Sequence, residues 1–352
     1  MLQNTPHICS LSTAAPPNEL IQTTVAESVT DIFSSRFSDF KKLKQVFVNC
    51  GIEKRNGARP LDWYFEPHGW PDRTAVYLEA ATELFIEAAR KAMDEAGVTG
   101  ADIGTVVTIS STGIATPGLE ARAAKELGFP ANVSRVPVFG LGCAGGVTGL
   151  ALAGRLAKAE PDKHVLLVVV ELCTLAVRLD QFTKGNIVAL ALFGDGAAAA
   201  VIKSGRDGLA SIEDAAEHSW PDTLDIMGWS VDPEGFGVIF DRSIPAFAKA
   251  EIAPALKQIC EAYGVDQREI GRFICHPGGT KVIEALESAL MLQSGTLDHE
   301  RAVLAEYGNM SAPTALFVLR RAIEAGLPER SIIMALGPGF TLSTAMLGRP
   351  YS

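Results

Sequence analysis

Apolar residues in this chain gather into short uninterrupted runs, and between the runs lie longer stretches of mixed, Ala- and Leu-rich character. The short runs have strand length: Val133 to Phe139, which reads as a buried strand, then Val165–Val170, Ala197–Ile202, Ile332–Leu336 and Thr341–Leu347. The mixed stretches predict helices, among them Val147–Ala159 and Ser311–Ala325. None of the apolar runs is long enough to span a bilayer. The order of elements recurs. Lys91 to Val107 reads KAMDEAGVTGADIGTVV and Lys257 to Ile274 reads KQICEAYGVDQREIGRFI; each is a helix ending at Gly-Val (Gly97, Gly264), a polar linker, Ile-Gly and an apolar strand. A Gly-bearing turn follows each strand, at 110–113 and 276–279, and each half later offers a small-residue turn before a helix. Chance recurrence of common residues is the alternative; the matched order of flanking elements favours duplication. The pattern predicts a mixed α/β protein of two stacked halves, 1–207 and 208–352, related by a pseudo-twofold axis. Corresponding loops of the halves then meet at one place.

Composition narrows the class. With 352 residues, 47% of them hydrophobic and 20% charged, the chain has ample material for a packed core. Met1 to Pro17 shows no basic segment followed by an apolar one, so no secretory signal is read there. Six scattered cysteines without Cys-x-x-Cys spacing predict reduced thiols in the cytoplasm and no metal site. A net charge of -10 argues against general nucleic-acid binding. No Gly-x-Gly-x-x-Gly follows a first strand, which sets aside a nicotinamide-binding dehydrogenase.

The candidate chemistry sits in the turns. Cys143 lies in Gly-Leu-Gly-Cys-Ala-Gly-Gly (140–146), between a predicted strand and a predicted helix. A helix N-terminus favours thiolate, and the glycines let an acyl group and backbone amides reach the sulfur. Taken alone, the window fits a nucleophile or a buried structural cysteine equally well. His276 ends the apolar strand Arg272–Cys275, where its imidazole could face a cavity and pair with a thiolate, or simply satisfy a turn. Asn309 precedes a helix; its amide could donate to a carbonyl oxygen gaining negative charge, or serve as an ordinary turn asparagine.

Five motifs occur in order: Gly-Cys-Ala-Gly-Gly (142–146), Ala-Leu-Phe-Gly-Asp-Gly-Ala (191–197), His-Pro-Gly-Gly (276–279), Tyr-Gly-Asn-Met-Ser (307–311) and Gly-Pro-Gly-Phe (337–340). Together they resemble the type III polyketide synthases, the chalcone synthase-like branch of the thiolase superfamily, over nearly the whole chain. The resemblance implies a thiolase-like α/β fold, five-layered αβαβα from two duplicated halves, and a homodimer. It implies that Cys143 holds the starter and growing chain as a thioester. His276 would keep that sulfur ionised and, with Asn309, bind the malonyl thioester carbonyl during decarboxylation. No cofactor is implied beyond the substrates acyl-CoA and malonyl-CoA. Phe193 matches an aromatic residue at the mouth of the active site, Ser311 a pocket residue, and Gly337, Gly339 and Phe340 a loop scaffolding the cavity. Asp195 reads as a turn-shaping residue.

Among the basic residues Lys41, Lys42, Lys44, Lys54, Arg55 and Arg59, the resemblance puts Lys54, Arg55 and Arg59 near the segment that binds CoA; a solvated face is the alternative. Against the plant enzymes, Ala176, Val238 and Thr116 stand where larger or more polar residues line the pocket, which predicts a larger cavity or a tunnel. Residues 59–73 resemble bacterial alkylresorcinol and alkylpyrone synthases. The expectation is therefore a long-chain acyl starter and an alkylpyrone or alkylresorcinol product. The alternatives are a ketoacyl synthase of the fatty-acid initiation type, which usually carries His-Gln-Ala-Asn in place of 276–279, and a non-catalytic acyl-CoA-binding relative.

Overall fold

The computed structural model describes residues 5–33, 40–181, 183–205 and 207–349, with side chains described outside residues 31–44. Met1–Asn4 of the N-terminal segment read above lie outside the described residues. The first half runs β1 (Thr5–Ala14), β2 (Asn18–Ile21), α1 (Gln22–Phe33), α2 (Phe40–Asn49), β3 (Lys54–Gly57), α3 (Trp70–Ala96), β4 (Ile103–Ile109), α4 (Leu119–Leu127), β5 (Ser134–Val138), α5 (Gly145–Ala159), β6 (His164–Leu172), α6 (Lys184–Leu192) and β7 (Asp195–Gly205). The second runs β8 (Ala210–Ser219), β9 (Met227–Asp232), β10 (Gly235–Phe240), α7 (Ile244–Tyr263), β11 (Arg272–Cys275), α8 (Thr280–Ala289), α9 (Asp298–Tyr307), α10 (Thr314–Ala325), β12 (Arg330–Gly337) and β13 (Thr341–Gly348).

Nine strands follow the order β11-β12-β13-β8-β1-β7-β6-β4-β5. The link between β8 and β1 is only His7 opposite Ser211 and Ile8 opposite Ala210, so the ribbon consists of two sheets joined at one corner. The two-residue period of a strand sends alternate side chains to opposite faces, and the chain exploits this throughout. On β6, Val165, Leu167 and Val169 face one core while Leu166, Val168 and Val170 face another. On β12, Ile333 and Ala335 join the first of these cores while Ile332, Met334 and Leu336 face a third. The shared core contains α5 and α10, which lie between the sheets; α3 and α4 cover one outer face and α7 and α8 the other. Five layers, αβαβα, result.

The duplication is visible in local detail. α3 ends at Gly97 (φ 67°), and a single 3-10 turn capped by Thr99 and Asp102 leads into β4. α7 ends at Gly264 (φ 70°), and a turn capped by Asp266 and Glu269 leads toward β11. A residue with positive φ at a helix end is the usual reason for glycine there. One expectation needs correcting. The segment Val133–Phe139 is not buried: its strand, β5, is the outermost of the sheet and alternates between exposed and half-buried positions. An edge strand has a partner on one side only, and Ser134 and Arg135 face solvent. The predicted helix Ser311–Ala325 begins at Thr314, after a turn through Ser311 (φ 59°).

Candidate active site

Cys143 occupies a 3-10 turn, Gly142–Ala144, at the start of α5. Gly140 (φ 93°) and Gly142 (φ 48°) take conformations that favour glycine, and a Cβ at 142 would lie 2.6 Å from the Pro338 ring. Ser111, at the end of β4, holds this turn: its Oγ accepts from the N–H of Gly140 (3.1 Å) and Gly142 (3.3 Å). Ser111 is itself held by Glu171, a fully buried carboxylate that accepts its N–H at 2.9–3.0 Å and the Thr112 hydroxyl at 2.7 Å. Burial pushes the Glu171 carboxyl up to about 8. Neither Ser111 nor Glu171 was legible as part of the site in the sequence, because Ser111 acts through backbone amides and Glu171 through Ser111 and Thr112.

His276 caps β11, its N–H donating to the Met334 carbonyl at 2.9 Å. Its imidazole is buried, and neither ring nitrogen has a hydrogen-bond partner among the described residues. Asn309 follows Gly308 (φ 67°) at the end of α9. Its Oδ1 accepts from the Ser311 N–H at 2.8 Å and its Nδ2 donates to the Gly278 carbonyl at 3.3 Å, so the amide is oriented with one N–H still unassigned. The Asn309 backbone bridges to Phe193: its N–H donates to Leu192 O (2.8 Å) and its carbonyl accepts from Gly194 N–H (3.1 Å).

These three side chains, distant in sequence, line one narrow pocket. The rest of its wall includes Met227, Phe240, Ile244, Val282, Leu286 and Leu336, residues of the second half that nothing in the sequence marked out. Burial governs the electrostatics. It pushes the Cys143 thiol up to about 11, a rise moderated by a hydrogen bond with Ser311, and the His276 imidazole down to about 4. Both shifts favour the neutral forms. The His276 imidazole, without a hydrogen-bond partner among the described residues, and the Cys143 sulfur line the same pocket.

The other expected residues are distributed around this chamber. Ser311 is buried and lies close enough to Cys143 to lower its thiol somewhat. Phe193 lines a neighbouring pocket and meets Trp229 edge-on at 6.2 Å. Val238 pairs with Trp229 across the β9–β10 hairpin, and Ala176 is buried in a turn that packs on β10. The Trp229 indole, donating to Ser111 O at 2.8 Å, brings bulk to a region where a larger cavity was expected. Thr116 is exposed, in the loop between β4 and α4. Gly337 packs against the nucleophile turn, where a Cβ would stand 2.6 Å from Ala144; Gly339 (φ 67°) passes its carbonyl to Thr223, and Phe340 is fully buried against Phe247.

The basic residues divide. Lys54 is exposed and paired with Glu19 at 2.5 Å, and Arg59 pairs with Glu79. Arg55 departs from the expected surface phosphate contact: it is 2% exposed, and burial lowers its guanidinium to about 10. The pleat explains this, since Arg55 and Gly57 point inward from β3 while Lys54 and Asn56 point outward. The side chains of Lys41, Lys42 and Lys44 lie outside the described ones.

Comparison with known proteins places this geometry. Residues 64–206 match the model of the N-terminal domain of chalcone and stilbene synthases, and residues 211–349 that of the C-terminal domain. A 1,3,6,8-tetrahydroxynaphthalene synthase of Streptomyces peucetius subsp. caesius is 35% identical over 97% of this chain and 92% of its own length. A putative chalcone synthase of Bacillus subtilis (strain 168) is 34% identical over 95% of this chain and 96% of its own. The crystal structure of 1,3,6,8-tetrahydroxynaphthalene synthase from Streptomyces coelicolor A3(2), a bacterial type III polyketide synthase, superposes with a TM-score of 0.93 at 27% identity, covering 98% of this chain and all of that one.

Proposed function

The chain belongs to the chalcone and stilbene synthase family of type III polyketide synthases, and from that premise we propose that it extends a long aliphatic acyl starter with malonyl-CoA. The observation that carries this reading is the chamber itself: the triad projects into a space walled by Met, Phe, Ile, Val and Leu side chains, with no charged group among those lining it. Such walls suit an alkyl chain, each buried methylene contributing about 0.8 kcal/mol.

The residues then act in turn. His276 takes the Cys143 proton as the sulfur attacks the acyl-CoA carbonyl, and CoA leaves as its thiol. Malonyl-CoA loses CO2, and the enolate oxygen that forms is met by the Asn309 amide and the His276 imidazolium or N–H. The enolate carbon attacks the Cys143 thioester, Cys143 departs as thiolate, and the chain, one ketide unit longer and now a CoA thioester, is taken back by Cys143 with CoA leaving before the next round. After further rounds, attack by a ketide oxygen closes a pyrone and attack by carbon closes a resorcinol. The reaction as written calls for acyl-CoA and malonyl-CoA and no additional cofactor.

A homodimer is part of this proposal. The free edge of β5 runs beside Ile114 and Phe139, which are 56% and 54% exposed and line one surface hollow with it. An unpaired edge with exposed apolar neighbours is the kind of surface a second copy covers. Thr116 lies on the same loop as Ile114. A cytoplasmic site of action accords with six cysteines all standing as free thiols. Among the described residues no helix is long and apolar enough to cross a membrane.

The test is mass spectrometry of the purified protein with a panel of acyl-CoAs and malonyl-CoA, beside Cys143→Ala. The expected result is an acyl adduct on Cys143 with long chains preferred, and pyrone or resorcinol products absent from the variant. A second reading comes from the relatives named 1,3,6,8-tetrahydroxynaphthalene synthase: a polyhydroxylated aromatic product that carries no alkyl chain and so needs no long acyl starter. Product formation without any added acyl-CoA would favour it over the long-chain starter.

A further inference from the structure

We propose that Arg55 is a positioning residue, a buried cationic clamp that fixes Asn309 and Phe193 through the C-terminus of α6. The last carbonyls of a helix have no partner within it and must find donors elsewhere. Here three successive carbonyls find three tertiary donors: Leu190 O accepts from Arg55 Nη2 (2.6 Å), Ala191 O from Gln22 Nε2 (2.9 Å) and Leu192 O from the Asn309 N–H (2.8 Å). The clamp and the catalytic asparagine are therefore joined to the same helical turn, two residues apart. A cation at a helix C-terminus also meets the negative end of the helix dipole.

The aliphatic stem of Arg55 makes a second connection. A Cβ at Gly194 would lie 3.2 Å from the Arg55 Cβ, and one at Gly308 would lie 3.4 and 3.5 Å from its Cβ and Cδ. These two glycines immediately follow Phe193 and precede Asn309. The Arg55 stem thus lies alongside both segments of the Phe193–Asn309 bridge, leaving room only for glycine there, while its head group holds the turn that leads into it. The fully buried Asp195, next to Gly194, supplies a negative charge near the guanidinium; its own hydrogen bonds go to Ala58, Thr174 N–H and the Thr174 hydroxyl.

This inference rests on the role given to Asn309 above, and it separates from a phosphate contact by the step it affects. A phosphate contact would raise KM for every CoA thioester. A clamp on Asn309 spares the acylation of Cys143 and slows malonyl-CoA decarboxylation, where the enolate oxygen needs a well-placed donor. The two half-reactions are to be measured separately in the full chain: acyl transfer to Cys143 by mass shift, and release of labelled CO2 from malonyl-CoA. Arg55→Met keeps the stem and removes the donor. Its expected effect is a fall of about 10- to 100-fold in kcat for decarboxylation, the scale of a small displacement of a catalytic group, with acylation rate and KM little changed. Arg55→Lys restores part of the loss, and Gln22→Leu, which frees the adjacent carbonyl, shows a weaker form of the same split. Hydrogen exchange in peptides covering 189–195 and 306–311 quickens in Arg55→Met regardless of turnover. Unchanged exchange there overturns the clamp, as does a rise in KM with kcat preserved, or an equal fall of both half-reactions in all three variants. A wild-type protein that releases no CO2 overturns the reaction proposed above, and the exchange measurement still decides the clamp.

Discussion

Burial favours the neutral forms of Cys143 and His276, the proposed nucleophile and base. Burial raises the Cys143 thiol to about 11, and the His276 ring has no hydrogen-bond partner among the described residues, an arrangement that favours thiol over thiolate near neutral pH. Alkylation of the substrate-free enzyme by iodoacetamide should therefore accelerate roughly tenfold per pH unit between pH 7 and 9, since below the pKa the thiolate fraction grows in that proportion. A rate flat across that range would show a preformed thiolate and refute this account. Asn309→Ala should slow malonyl-CoA decarboxylation by roughly 100- to 1000-fold while leaving Cys143 able to accept an acyl group; equal loss of both steps by the same mass-shift and CO2 assays would contradict it. At this scale the sequence was informative where a residue type sits in a turn: Cys143, His276 and Asn309 could be singled out because glycines surround them. It misled at Arg55, since a basic run in a sequence looks solvated, and only the register of β3 against β2, with Arg55 opposite Leu20, turns that side chain inward.

Elements explain how turns so far apart converge. The N-termini of α5 and α10 enter the central layer from corresponding places in the two halves, and their approach is close enough to exclude a methyl group: a Cβ at Gly146 would collide with the Ala312 carbonyl. Gly146→Ala should lower stability by about 1–3 kcal/mol, the usual cost of overpacking, and should weaken acylation because the Cys143 turn moves with α5. A melting midpoint equal to wild type would remove the packing argument. Most strands and the paired helix–turn–strand units were legible, because their apolar periods and terminal glycines are local signals. The buried reading of β5 failed, since a run such as Val-Pro-Val-Phe (136–139) looks the same at an edge as at a centre. The β9–β10 hairpin and the packing of α7 and α8 that build the chamber wall were invisible for the same reason: their roles arise from contacts between distant segments.

At the scale of the molecule, deep burial of carboxyl groups makes stability depend on pH. Glu300 is fully buried behind β11; one oxygen accepts the Cys275 N–H at 2.8 Å, the other has no hydrogen-bond partner among the described residues, and Arg272 stands 3.7 Å away while also pairing with Asp298. Burial raises its carboxyl from 4.5 to about 7. The folded value lies above the unfolded one, so the native state holds a proton that the unfolded chain has lost. Its stabilising contribution is complete below pH 4.5 and is lost as the pH climbs through about 7, amounting to about 3 kcal/mol at most. Glu300→Gln should thus match wild type in thermal midpoint at pH 5 and exceed it at pH 8.5; the opposite order would invert the assignment. The two-sheet architecture also divides labour unevenly. The named apolar wall of the chamber comes from beyond residue 208, whereas the nucleophile comes from before it, and the sheets meet only at the short β1–β8 corner. The apolar wall is therefore inherited together with His276 and Asn309: an exchange of the second half among relatives would set a new wall, with its own histidine and asparagine, against an unaltered thiol, so that acyl preference and the groups facing it travel as one unit.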